Sequence, residues 1–277
     1  MAQTVRLGLE AGGHTLDLAV KHGIKGVPIY IDQLVNDGLE KTLAPLRERN
    51  LQVCQIGAFG YNPLSTDEAE QVRQTKMLEQ VIPVANETGC SYITICGGNY
   101  HPSGFGAADL RNFKPDALDK MAQKLLPLIR LAEKHNVKLT IEAYLKTTIN
   151  SPKAFHALWE KLKSNALKIN IDVTSLYDAK DVWDSRKTVK QVCMSLVGHY
   201  GLVHVKDVKL EEGFHVHMGL GPLGSSNTDW TKMLRMAAPN IPEDSWLILE
   251  HVSSPEEADS SLKTLRKAAV KAGVTFV

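Results

Sequence analysis

The sequence predicts a single (β/α)8 barrel, an α/β fold, on three observations. Short runs rich in β-branched residues alternate with longer amphipathic stretches from one end of the chain to the other. There are eight of each, which implies right-handed strand–helix–strand units and a parallel sheet. No Ser/Pro-rich tract and no block of like charge divides them, so residues 1–277 read as one domain. Barrels of this kind commonly reach about 250 residues as one unit. An open doubly wound sheet is the competing arrangement, but it would carry a G-x-G-x-x-G turn directly after the first strand. Glu10-Ala11-Gly12-Gly13 does not supply one.

Taken in order, strands are expected at 5–9 (VRLGL), 25–30 (KGVPIY), 51–57 (LQVCQIG), 91–96 (SYITIC), 137–142 (VKLTIE), 168–173 (KINIDV), 201–206 (GLVHVK) and 246–250 (WLILE). Helices are expected near 14–22, 36–49, 66–88, 115–135, 152–163, 185–199, 228–238 and 255–272. Ser65, Ser151 and Ser254 precede three of them as candidate N-caps, because a serine oxygen can accept a bond from a free backbone N–H of the first turn.

Composition narrows the function. The 32 Lys and Arg residues against 31 Asp and Glu give a net charge of +1, so no overall field draws the chain onto nucleic acid or an anionic membrane surface. With 43% hydrophobic residues the chain can bury a sizeable core. Cys54, Cys90, Cys96 and Cys193 are widely spaced, form no C-x-x-C pair and read as buried thiols. Neither a signal-peptide pattern nor a run of about 18 apolar residues is present, and a cytoplasmic location is expected.

A barrel does its chemistry at the carboxyl ends of its strands. Strands five to eight each bring one ionisable residue there: Glu142 in LTIEAY, Asp172 in INIDVT, His204 in LVHVKD and Glu250 in LILEHV. An unpaired charge after an apolar strand is costly, so each group needs a cation, a partner or water. Three carboxylates and one imidazole form a hard, mostly oxygen site for one divalent ion, with Mn2+ favoured, Mg2+ or Co2+ close behind, and Zn2+ or Fe2+ less suited. The competing reading is structural: the acids cap neighbouring helices or pair with Lys206 and Lys146.

On these residues the chain resembles the xylose isomerase-like TIM barrels, in particular the sugar phosphate isomerase/epimerase branch. The marks are the Glu, Asp, His, Glu order, the run His204-Val205-Lys206-Asp207, the later Gly219-Leu220-Gly221, and Asp229-Trp230 opening a helix. The resemblance implies one metal bound by Glu142, Asp172, His204 and Glu250. It also implies that Glu142 and Glu250 move protons on opposite faces of a small sugar or sugar derivative. Three positions depart from the epimerase pattern: Ser175 stands where a histidine follows the metal aspartate, Thr148 where a second glutamate follows the first, and His215 near an expected arginine.

Other residues are candidates for substrate contact. Lys206, Tyr144 and Glu10 lie near strand ends, His101 lies in the Gly-rich GGNYHPSG, and His215 lies with His217 in the long segment from Lys209 to Gly224. The glycines of that segment could form a phosphate nest. His251, next to Glu250, should point away from the interior if strand alternation continues. The leading reading is a metal-dependent sugar isomerase or epimerase, with oligomeric state left open. Its rivals are a lyase or dehydratase acting on a keto-sugar, keto-glycoside or inosose, an apurinic-endonuclease-like phosphodiesterase, and a non-catalytic sugar-binding barrel.

Overall fold

The computed structural model describes residues 3–277. Eight strands form the barrel: β1 (Gln3–Leu9), β2 (Gly26–Tyr30), β3 (Gln52–Ala58), β4 (Tyr92–Cys96), β5 (Lys138–Glu142), β6 (Leu167–Ile171), β7 (Tyr200–Val205) and, after a hairpin of β8 (Asp207–Leu210) and β9 (Met218–Gly221), β10 (Trp246–Leu249). They follow one another in sequence around the sheet, and β10 pairs in parallel with β1, which closes it. Each barrel strand lies within three residues of its expected start and end.

Helices α1 (Thr15–His22), α2 (Ile31–Glu48), α3 (Glu68–Val81), α4 (Pro115–His135), α5 (Pro152–Leu162), α6 (Arg186–Ser195), α7 (Trp230–Ala237) and α8 (Pro255–Ala272) occupy the connections. α4 shows why: Ala117, Met121, Leu125, Leu128, Ile129 and Ala132 recur at helical spacing and are its buried face. Asn136, left-handed at φ 59°, then ends the helix.

Ser151 and Ser254 cap α5 and α8 as expected. Ser65 does not cap α3; Asp67 does, by accepting from Glu70 N, while Ser65 Oγ accepts from Asp67 N to turn the chain into the helix. The helix expected from 36 begins at Ile31, directly after β2, and is broken at Gly38 (φ 77°, ψ 168°). Asn36-Asp37-Gly38 marks that break rather than a start. The long segment that carries His215 and His217 joins the strands of an antiparallel β8–β9 hairpin, and β11 (Val274–Phe276), which pairs with Gln3–Val5 of β1, is a strand the sequence did not announce.

Contacts group the chain into two compact units, residues 1–27, 49–52 and 171–277 in the first and 28–48 with 53–170 in the second. The buried residues of the first include Leu7, Leu9, Leu202, Leu247 and Leu249 of its strands and Leu262 and Leu265 of α8. The second has a polar layer inside its strands. Thr94 Oγ1 donates to Gln55 Oε1 at 2.9 Å and lies 2.7 Å from Thr140 Oγ1, so β3, β4 and β5 are tied through side chains as well as backbone. Thr140 and Glu142 share a face of β5, and the acid ends the strand one step above this layer. All four cysteines are buried free thiols. Among the described residues no helix is long and apolar enough to cross a membrane.

Candidate metal centre

Glu142, Asp172, His204 and Glu250 each offer a ligand atom, and these atoms lie within 4.8 Å of one another; all four residues are buried. The backbone accounts for the convergence. His204 and Ile248 are partners in the parallel β7–β10 register, and Glu250 N donates to Val205 O at 3.1 Å, so Glu250 and His204 leave neighbouring strands at nearly one level. On β6, residues 168, 170 and 172 share a face, and Asp172 is the first residue past the strand end.

Lys206 is buried among these acids. Its Nζ lies 2.5 Å from Asp172 Oδ2 and donates to Glu250 Oε1 at 2.6 Å. His204 Nδ1 lies 2.7 Å from Glu250 Oε2. The structural alternative raised by the sequence is therefore present in part: Lys206 does pair with the strand-end acids. Three carboxylates against one ammonium still leave excess negative charge in a place where water is scarce, and the donor set of three carboxylate oxygens and an imidazole suits a divalent ion.

Burial alone would raise the Asp172 carboxyl, but the Lys206 ammonium and the Ser175 hydroxyl hold it below the usual carboxylate range. Burial likewise opposes ionisation of Glu250, and His204, Lys206 and His251 overcome it, leaving Glu250 far below its ordinary value. Asp172 is also held in place. Its Oδ1 accepts from Thr174 N, Thr174 Oγ1 and Ser175 N, and its Oδ2 accepts from Ser175 Oγ at 2.7 Å. Ser175, at one of the three departures from the epimerase pattern, thus locks the aspartate.

The remaining candidates lie as follows. Glu10 Oε1 accepts from Gly12 N and Oε2 from His251 N, so this side chain bridges the segments that follow β1 and β10. Tyr144 meets Phe105 edge to face at 6.2 Å, with Lys146 Nζ 5.2 Å from its ring. His101 bonds within its own loop, Nδ1 lying 2.7 Å from Ser103 Oγ. His215 and His217 are exposed in the tip between β8 and β9; His215 stacks edge-on to Phe214, and His217 Nδ1 pairs with Glu211 Oε2 at 2.5 Å. Among the described residues, no contact joins either histidine to the four buried ligand candidates. Thr148 is buried in the segment after β5, its N–H donating to Gly98 O.

Two sequence expectations change here. The glycine nest is filled from within: Asp207, itself buried, accepts from Val208 N on Oδ1 and from Gly224 N and Ser226 N on Oδ2. Gly224 is needed there for its φ of 102°. His251 does not point away by strand alternation, because the strand ends at Leu249 and His251 is left-handed at φ 56°. Its Nε2 comes within 3.6 Å of Glu250 Oε1. The Ser254 cap and Pro255 were the available signal that the strand had already ended.

A family model for the xylose isomerase-like TIM barrel matches residues 16–268. The chain belongs to this family. Solved structures agree in fold. A 3-keto-D-glucoside 4-epimerase from E. coli superposes with a TM-score of 0.71 at 17% identity over 95% of this chain and 99% of its own. A probable 3-DHS dehydratase from Bacillus anthracis gives 0.69 at 16% over 96% and 99%. A xylose isomerase-like TIM barrel protein from Mycobacterium smegmatis, in complex with magnesium, gives 0.69 at 15% over 98% of each chain. No curated protein sequence matches the chain.

Proposed function

We propose that the protein is a divalent-metal-dependent isomerase or epimerase of a sugar or sugar derivative, working by proton transfer next to a carbonyl. One observation carries the reading: Glu142, Asp172, His204 and Glu250 are buried together with ligand atoms within 4.8 Å of one another. A cation held by these four would polarise a carbonyl and its neighbouring hydroxyl and so stabilise the enediolate that proton removal creates.

The chain's own groups do the rest. Glu250 and Glu142 are the proton carriers, one taking the proton from carbon and the other returning it, in the manner of paired carboxylates. Lys206, on Asp172 and Glu250, is placed to turn its ammonium toward developing oxyanion charge when the carboxylates are otherwise engaged. The magnesium-bound and epimerase neighbours support the reading at the level of fold.

A second reading has one observation in its favour. His251 Nε2 lies 3.6 Å from Glu250 Oε1 and is half-exposed. It could supply a proton to a departing group, which elimination needs and isomerisation does not. The dehydratase neighbour fits this alternative. Manganese as the working ion, a sugar derivative larger than a free ketose as substrate, a single domain and a cytoplasmic site of action are parts of the same proposal.

The test is elemental analysis of the purified protein, then incubation in deuterated water with a panel of ketoses and 3-keto-glycosides at added Mn2+. Deuterium entering next to the carbonyl, with no other mass change, is the expected result. Loss of mass from the substrate assigns the elimination reading instead, and no exchange at any metal loading defeats both.

A further inference from the structure

One side chain beside the centre is buried without a hydrogen-bond partner. Asn170 is 1% exposed. Neither its Nδ2 nor its Oδ1 has a hydrogen-bond partner. A buried amide without partners costs stability, and native interiors carry few of them.

Its place is specific. In the parallel β5–β6 register Asn170 is the partner of Glu142, and register partners project from the same face of the sheet. Two residues on along that face is Asp172. The amide therefore stands beside one candidate ligand and one step below another. Its neighbours in the polar layer are already satisfied: Thr94, Thr140 and Gln55 bond to one another.

We infer that Asn170 is a positioning residue for Glu142: its amide N–H donates to a Glu142 carboxylate oxygen when the centre is loaded. This rests on the metal-dependent reading above. A carboxylate shared between a cation and a fixed amide donor would be held in one rotamer, with its amide-bound oxygen oriented for proton transfer. Partners of this kind commonly change metal affinity by 10- to 100-fold when removed. The amide, unpartnered among the packed side chains, is then a group available to the Glu142 carboxylate.

The experiment uses the full chain, with Asn170→Leu, Asn170→Ala and Thr140→Val. Mn2+ binding is measured by calorimetric titration, and thermal melting is recorded in excess chelator. The expected result is a Kd for Mn2+ about tenfold or more weaker in both Asn170 variants. Thr140→Val, which cuts the polar layer below the acids, should bind Mn2+ as the parent does. In chelator Asn170→Leu should melt at or above the parent, since it removes an unpartnered amide. A merely structural residue would show the reverse, lower melting with unchanged affinity.

Should leucine prove too large to fold, the alanine variant reads the same affinity. Parent-like Mn2+ binding in the variant that folds overturns the inference and leaves the metal reading intact. A parent that binds none of Mn2+, Mg2+, Co2+ or Zn2+ overturns both.

Discussion

Two histidine–carboxylate pairs in the same half of the chain make an informative contrast. His204 and Glu250 are 2.7 Å apart with side chains 0% and 7% exposed; His217 and Glu211 are 2.5 Å apart with side chains 73% and 46% exposed. The chemistry of the partners is identical and the distances are alike, yet only the first pair is shut away from water. Glu250 is driven far below its normal range by His204 and Lys206 against the opposing effect of burial. At the hairpin tip, water and salt screen the same attraction. Proximity seen from the sequence, as with His215 and His217 near the barrel mouth, does not make a site. Burial on rigid strand ends does.

The contrast breaks most visibly in turnover. Glu250→Gln or Glu142→Gln should lower kcat by about 10²- to 10⁴-fold in the deuterium-exchange assay, the usual range for loss of a general acid or base. Near-parental exchange in either variant would remove the proton-carrier assignment.

Next in size is Lys206→Met studied without metal. Removing one member of a buried ion cluster leaves carboxylates facing each other, and denaturant unfolding in chelator should show a loss of about 3–5 kcal/mol. Mn2+ should recover much of it by taking over the charge that Lys206 neutralised. A variant as stable as the parent in chelator would mean that Lys206 is not the counter-ion of the centre.

Asp207→Ala comes third. It strands the N–H groups of Val208 and Gly224, so a cost of about 1–3 kcal/mol is expected, with faster amide exchange localised to 222–226. Inorganic phosphate should not protect the parent against that exchange, because the nest already holds a carboxylate. Protection by phosphate would reopen the phosphate-site reading.

The smallest effect belongs to the exposed pair. Glu211→Gln and His217→Ala should each change stability by less than about 1 kcal/mol and leave Mn2+ affinity unaltered. A large effect on metal binding would show that the hairpin reaches the centre in solution and that the exposed pair is part of the site.

Most of the fold was legible because a strand in a parallel barrel is buried on both faces and its helix on one, and those two patterns survive in KLTIE and in the Ala117-to-Ala132 spacing. What escaped notice had no such pattern. β11 is three residues long and lies directly after a helix, and Ile31-Asp32-Gln33 looks like a strand running on into a turn. The three acids and the histidine were readable as polar residues ending apolar strands. Lys206's partners, the Asp207-filled nest and the His251 approach were not, because each depends on where a different segment lies. Asn170 did not stand out in the sequence: only the packed structure reveals that nothing bonds to its side chain.

The pairing of β1 with β10 and β11 also bears on how the chain reaches this state. Arg6 to Leu9 find partners at Trp246 to Leu249, and Gln3 to Val5 at Val274 to Phe276, so the first strand cannot be completed until nearly the whole chain exists. The unit built from 28–48 and 53–170, by contrast, is almost continuous in sequence and contains its own Gln55–Thr94–Thr140 ties. Closing a longer loop carries a larger entropic penalty, and contacts remote in sequence slow folding. The central unit should therefore gain amide protection first during refolding, with β1 protected last and in step with β10. In a growing polypeptide, the first strand has β2 as an early partner but would wait with its other edge open through most of synthesis, and the three candidate ligands at 172, 204 and 250 would come together only as that edge is finally closed.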